Sequence, residues 1–202
     1  MYRWRKMSDV ERTSILEARR VKQQPWHSPS HREGSHTRQF LLSGACYEHR
    51  PYIGSSPDRM EAFSHQFLQM LSEEGATVYA WCVVPNHYHF LIQSQCILHV
   101  LKSVGKFHGR TAFTWNGEDS LRGRKVFYRA VEREMRSDRH FWSSLNYVHH
   151  NPVRHGYVSK WMDWPWSSAS DFLTATSQTE ALRIWQEYPL LNYGEGWDDP
   201  EL

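Results

Sequence analysis

The stretch VVPNHYHFLIQ, residues 83–93, sets two histidines inside an otherwise apolar run. Alternate residues of a strand face the same side, so His87, His89 and Leu91 share one face and Tyr88, Phe90 and Ile92 the other. An HxH pair of this kind can hold one metal ion and leave coordination positions open. It can equally be a hydrogen-bonded pair without metal, and the strand alone does not choose between the two. Pro85-Asn86 reads as a tight turn leading into the strand.

The flanking pattern says where such a strand sits. SDVERTSILEARRVKQ begins with Ser8 and Glu11 in capping-box spacing and predicts a helix. QPWHSPSHREGSH, with two prolines and small polar residues, predicts an extended linker, and its His27, His31 and His36 read as solvated loop residues. A strand is expected at 38–47. A helix follows, with Ser56 as its N-cap, Pro57 at the first position and Gly75 closing it. ATVYAWCVV is the second strand and the histidine strand the third. A helix is expected from about Ile97 to Phe113, a fourth strand in KVFYRAVER, and a helix from Ser137 that stops near Asn151, because Pro152 disfavours helical geometry before it.

This β-α-β-β-α-β order suits an α+β fold, the ferredoxin-like sandwich, an antiparallel sheet with two helices on one face. Its first and third strands are central, so the histidines are expected on the open face. The reading divides the chain into an N-terminal helix and arm (1–37), a catalytic domain (38–156) and an aromatic C-terminal helical extension with an acidic tail (157–202). The tryptophans of WMDWPWSS read as a structural lid, with base stacking by one of them as the functional alternative.

Charge is distributed in blocks. The net charge of +2 separates into +5 for residues 1–40, −3 for 41–99, +7 for 100–160 and −7 for 161–202. A basic block beside the histidine strand favours a polyanionic partner. No apolar stretch approaches the roughly 20 residues of a membrane span, and the basic N-terminus lacks an apolar signal-peptide core. Three cysteines without a CxxC pair suggest free thiols in a cytoplasmic, nucleoid-associated protein.

NYVHHN supplies the remaining chemistry. Tyr147 and Asn151 are four residues apart and share a helix face. The Asn151 carbonyl is a hard oxygen ligand which, with two imidazoles, favours magnesium or manganese over a closed zinc site. Such a metal fits phosphoryl chemistry, with Tyr147 as the nucleophile. A free phenol is only about one part in a thousand ionised at pH 7, so position and a nearby cation must activate it. His149 and His150 point elsewhere around the helix. No phosphate-binding GxxxxGK[ST] loop is present in the sequence, and none is needed if a phosphotyrosine conserves the bond energy.

PNHYHFLI together with YVHHNPVRHGYV resembles the HUH single-tyrosine transposases, and QPWHSPSH and WMDWPWSSA are similar to the REP-associated tyrosine transposase branch. The resemblance spans about residues 20–172. It implies His87 and His89 as metal ligands, Asn151 as the third ligand and Tyr147 as the nucleophile. Tyr88 stands where the middle position is usually aliphatic, and Asn151 where relatives often carry Gln. The implied substrate is single-stranded DNA with imperfect palindromic hairpins, cut so that the 5′ end stays on Tyr147 and a 3′-OH is released. A non-catalytic hairpin-binding protein and a phosphodiesterase using water are the competing readings. Whether the chain acts as a monomer or a homo-oligomer is left open.

Arg3, Arg5 and Lys6 in the arm and Arg122, Arg124, Lys125 and Arg129 in the basic block are candidate DNA-backbone contacts. Each phosphate contact releases counterions on binding. Deleting residues 1–37 is therefore expected to weaken hairpin binding and flatten its salt dependence in a titration of binding against ionic strength.

Overall fold

Strand β1 (Arg38–Ala45) leads to helix α1 (Pro57–Glu73), and the hairpin of β2 (Thr77–Val84) and β3 (His87–Ser94) follows. Helix α2 (Ile97–Glu118), strand β4 (Val131–Glu134) and helix α3 (Asp138–Arg154) complete the central part. Two short helices, α4 (Ala169–Thr176) and α5 (Gln178–Glu187), come last. The computed structural model describes residues 37–194 together with Ser8, Val10, Glu11, Thr13, Ser14 and Glu17. Residues 35–193 form one compact unit, and residues 1–34 with 194–202 are assigned to another. In the latter the expected capping box is present: the Ser8 amide donates to Glu11 Oε2 at 2.8 Å and the Glu11 amide to Ser8 Oγ at 3.3 Å. Arg3, Arg5, Lys6 and the linker histidines lie outside the described residues.

The sheet is antiparallel, in the order β2-β3-β1-β4. The first and third strands are thus central, as the element order predicts. The caps work as read: Ser56 Oγ accepts from the Arg59 amide and Ser137 Oγ from the His140 amide. Three boundaries differ. Helix α2 continues to Glu118 instead of stopping near Phe113, since its Trp115 and Asn116 are buried and hold the last turn on the core. Regular pairing in β4 is confined to four residues, with a single bridge from Phe127 to Cys46 ahead of it. Helix α3 runs through Pro152 to Arg154, and its end is closed by amide bonds from His155 to Asn151 O and from Tyr157 to Pro152 O. A proline in the final turn removes one hydrogen bond, and this terminal network replaces it.

One face of the sheet packs on α1 and α2. Phe40, Leu42, Tyr88, Phe90 and Ile92 meet Phe63, Phe67, Val104 and Phe107 there. Phe67 stacks on Phe90 with ring centroids 4.5 Å apart. Within this apolar layer the Tyr88 hydroxyl meets His108 Nε2 at 2.9 Å, and His108 stacks on Phe127 at 4.2 Å. Gly44, opposite Tyr88, leaves the space this ring needs, because a Cβ at Gly44 would come within 2.3 Å of the Tyr88 hydroxyl.

The other face is not open. Helix α3 covers the side bearing His87, His89 and Leu91, and His87 and His89 are only 3% and 2% exposed. The helix from Ser137 is expected after the fourth strand but not on the histidine face; α3 follows β4 and crosses to that far face of the sheet. The aromatic segment after α3 protects the edge of β2. The Val83 amide donates to Trp166 O, the Ser168 amide to Trp81 O, and Trp164 Nε1 to Val83 O at 2.8 Å. An edge so covered cannot pair with another chain. No helix among the described residues is long and apolar enough to cross a membrane.

Burial penalises the charged imidazolium, so the His108 pKa falls from 6.5 to about 4. Between those values the unfolded chain binds a proton that the folded chain does not, and stability falls as pH drops through the window. Urea unfolding at pH 7 and pH 5 is expected to show His108→Gln losing less stability than the wild type, by about 2 kcal/mol.

Candidate active site

The site lies where α3 crosses the His87 end of β3. Register does the first part of the work: His87 pairs with Ala45 and Val84, and His89 with Ser43 and Cys82. Small neighbours flank the imidazoles and leave their rings room to rise toward the helix. Helical spacing does the second part, because Tyr147 and Asn151 sit one turn apart on the buried side of α3. Tyr147 is 1% exposed and Asn151 fully buried.

Each imidazole is oriented from behind. His87 Nδ1 lies 2.8 Å from Asn86 Oδ1, and Asn86 Nδ2 donates to His49 O at 3.1 Å. That second bond fixes the amide, so His87 Nδ1 carries the proton and Nε2 presents a lone pair. Nε2 faces Asn151 Oδ1 at 3.1 Å. Two acceptors at that distance repel unless a cation or proton lies between them. Asn151 Nδ2 is buried with no hydrogen-bond partner among the described residues. His89 Nδ1 contacts Ser43 Oγ at 2.7 Å, and its Nε2 faces the Tyr147 hydroxyl at 3.4 Å. The two imidazole centroids are 5.1 Å apart.

Two imidazole nitrogens and one amide oxygen thus converge beside a phenol. The set fits a hard divalent cation in its chemistry: neutral nitrogen and carbonyl oxygen donors, too few to saturate it. Among the described residues no group of three His, Cys, Asp or Glu forms a metal cage. The third polar group beside the two imidazoles is the amide of an asparagine, Asn151.

Other candidates fall into place around this centre. His149 is buried, its Nε2 3.0 Å from Ser168 Oγ and its ring against Trp161 and Phe172, and burial pushes its pKa down to about 3. It joins α3 to the edge segment of β2 and is a core residue. His150 is exposed. Arg124 is absorbed by the fold, bonded to Asp119 and Asn116 and lying over Tyr52. Arg122 donates to Phe113 O and covers its ring. Lys125 sits over Tyr47 and Tyr128, at the end of the sheet that carries His87. Arg129 is exposed.

Several residues at the centre were not singled out in the sequence. Ser43 and Asn86 orient the imidazoles. His155, one turn beyond Asn151, packs edge-on against His87 at 4.8 Å. Tyr193 packs on Tyr147 at 5.7 Å, and Arg154 lies over the Tyr147 ring at 5.9 Å. Only His155 carried a usable signal, the i, i+4, i+8 series Tyr147, Asn151 and His155; the others depend on register or on chain return.

A Haemophilus influenzae protein assigned to the REP-associated tyrosine transposases is 25% identical over 128 residues, which cover 55% of this chain and 69% of that protein. The REP-associated tyrosine transposase of Escherichia coli K12 is 26% identical over 106 residues, 52% of this chain; the match spans 61% of the relative's own length. A REP-associated tyrosine transposase solved bound to a REP hairpin superposes with a TM-score of 0.56 at 16% identity, covering 73% of this chain and 86% of that one, and so shares the fold. The profile of IS200-like transposases matches residues 46–151, a segment running from the end of β1 to Asn151 and containing both histidines and the tyrosine. With more than half of its length matched, the chain belongs to the IS200-like transposase family.

Proposed function

We propose that the protein is a metal-dependent single-stranded DNA transesterase, built on a ferredoxin-like sandwich, that cleaves and rejoins hairpin-containing repeat DNA through a 5′-phosphotyrosine. The observation that carries this reading is the approach of His87 Nε2 to Asn151 Oδ1 and of His89 Nε2 to the Tyr147 hydroxyl, at 3.1 and 3.4 Å. His87, His89 and Asn151 would hold magnesium or manganese, which supplies Lewis-acid polarisation of the scissile phosphate. The relatives' names and the hairpin in the related complex support hairpin-containing REP DNA as the substrate class.

The residues of the chain divide the remaining work. Tyr147 Oη forms a bond to phosphorus while the bond from phosphorus to the 3′ oxygen breaks. The phenolic proton is lost as the 3′ oxygen gains one, so bonds and charge balance without ATP. Reversal by another 3′-OH rejoins the strand. His89, oriented by Ser43, keeps the phenol in place, and His87, oriented by Asn86, turns Nε2 toward Asn151. Burial of the centre excludes competing water. Lys125, Arg129 and the N-terminal Arg3, Arg5 and Lys6 would contact the phosphate backbone, while Arg122 and Arg124 serve chiefly the fold.

Incubation of labelled single-stranded hairpin DNA with manganese should give a protein–DNA species that survives denaturing electrophoresis. Tyr147→Phe deletes only the nucleophilic oxygen and is expected to abolish that species while leaving hairpin binding within a few-fold. Cleavage without any covalent species would favour the phosphodiesterase reading, and binding alone the non-catalytic one. Retained cutting by Tyr147→Phe at the wild-type rate would move the nucleophile, with Tyr157 next in line.

Asn151 separates a ligand from a helix residue. As a ligand, Asn151→Ala should be nearly as damaging as loss of a histidine, and Asn151→Asp should keep activity or shift the metal preference, because a carboxylate is a stronger hard ligand. Single-turnover cleavage across a manganese titration measures both. A wild-type rate for Asn151→Ala at every manganese concentration would reject the ligand role.

A further inference from the structure

We propose that Tyr157, backed by Trp164, is a stacking shelf for one nucleobase of the strand that enters the Tyr147 site, an inference that rests on the single-stranded DNA reading above. The two rings stack at 5.3 Å with 29° between their planes. Both are held from below. Tyr157 follows Gly156, whose φ of +72° ends α3, and its amide donates to Pro152 O at 2.9 Å. Trp164 is pinned by its indole N–H to Val83 O at 2.8 Å, next to Val84, the cross-strand partner of His87. The shelf is therefore tied to the same helix that carries Tyr147 and Asn151 and to the same hairpin that carries His87 and His89.

Its position relative to the reacting groups is what gives it a ligand. A line of rings leads outward from the centre: His89 to His87 at 5.1 Å, His87 to His155 at 4.8 Å, and His155 to Tyr157 at 6.2 Å. His87 and His89 are buried and His155 is half-buried, whereas Tyr157 is 40% exposed. Its hydroxyl makes no hydrogen bond among the described residues, and partial burial raises its pKa, so it stays a neutral phenol. An aromatic face open to solvent, rigid on its other side and near the scissile phosphate suits a nucleobase, since every base has a π-face to stack. Rigidity lowers the ordering cost of binding. The tryptophans read from sequence as a structural lid, with base stacking by one of them as the alternative; Trp164 instead backs the tyrosine proposed to stack.

The test uses the full chain with chelator present, so that no cleavage occurs. Single-stranded hairpin oligonucleotides carry 2-aminopurine at successive positions of the unpaired flank. The wild type should quench one position. Tyr157→Phe should retain that quenching, and Tyr157→Leu, which still covers Trp164, should lose it and bind about 5- to 150-fold more weakly, the worth of one stacked base. In parallel, the wild type irradiated with 5-iodouracil oligonucleotides should crosslink at Tyr157. Equal affinity for Tyr157→Leu, or wild-type crosslinks only elsewhere, overturns the shelf whether or not the leucine variant folds well. Tyr147→Phe should quench like the wild type. A second arm replaces chelator with manganese: Tyr157-dependent quenching under chelator with no covalent adduct under manganese refutes the cleavage reading and keeps the shelf, and adducts under manganese without Tyr157-dependent quenching do the reverse.

Discussion

The crossing of α3 over the histidine face of the sheet is the contact on which the rest depends. It brings Asn151 to His87 and Tyr147 to His89, joining positions 64 and 58 residues apart in the chain. Everything polar at the centre is buried by that one packing event. Buried polar groups are costly unless matched, and here the matching comes from small side chains at fixed register, Ser43 from β1 and Asn86 from the hairpin turn. The Asn151 Nδ2 amide, buried without a hydrogen-bond partner among the described residues, is the exception.

The two faces of the sheet serve opposite ends. On the α1 and α2 side, Tyr88 carries its hydroxyl into an apolar layer and finds His108, so the strand is anchored from below at the residue between the two site histidines. On the α3 side the same strand presents its imidazoles upward. One strand thus places Tyr88, Phe90 and Ile92 in the apolar layer and turns His87 and His89 toward α3. Changes at Gly44 or His108 would be felt at the histidines through this strand, without either residue touching them.

The basic block from 100 to 160 divides in a similar way. Arg124 is engaged by Asp119, which Arg59 also holds, and hydrogen bonds from the Arg59 and Arg124 guanidiniums lower the Asp119 carboxyl pKa to about 2. That cluster braces the end of α2. Lys125 and Arg129 remain on the surface, and Lys125 stands at the sheet end that carries His87. Net charge by segment pointed to a polyanion, but it could not distinguish a cation used inside the fold from one offered to a partner.

Local periodicity was enough to read the order of elements, the alternation of β3, the caps at Ser8, Ser56 and Ser137, and the shared face of Tyr147 and Asn151. Each of these depends on residues within a few positions of one another, which the sequence displays directly. The sheet order followed from the element order through a general rule of topology. What the sequence did not contain was the covering of the histidine face, because a helix that follows the last strand can pack on either side. Nor did it contain the persistence of α3 through Pro152, which hydrogen bonds beyond the proline decide. Ser43, Asn86 and Tyr193 reach the centre only through register and chain return, and Tyr157 gains its meaning from Trp164 and His155 beside it. The sequence by itself determined which residue types could do the chemistry, since that is a property of side chains and their spacing. The tertiary structure alone decided which of them meet and which are buried, since contact between distant residues is set by packing.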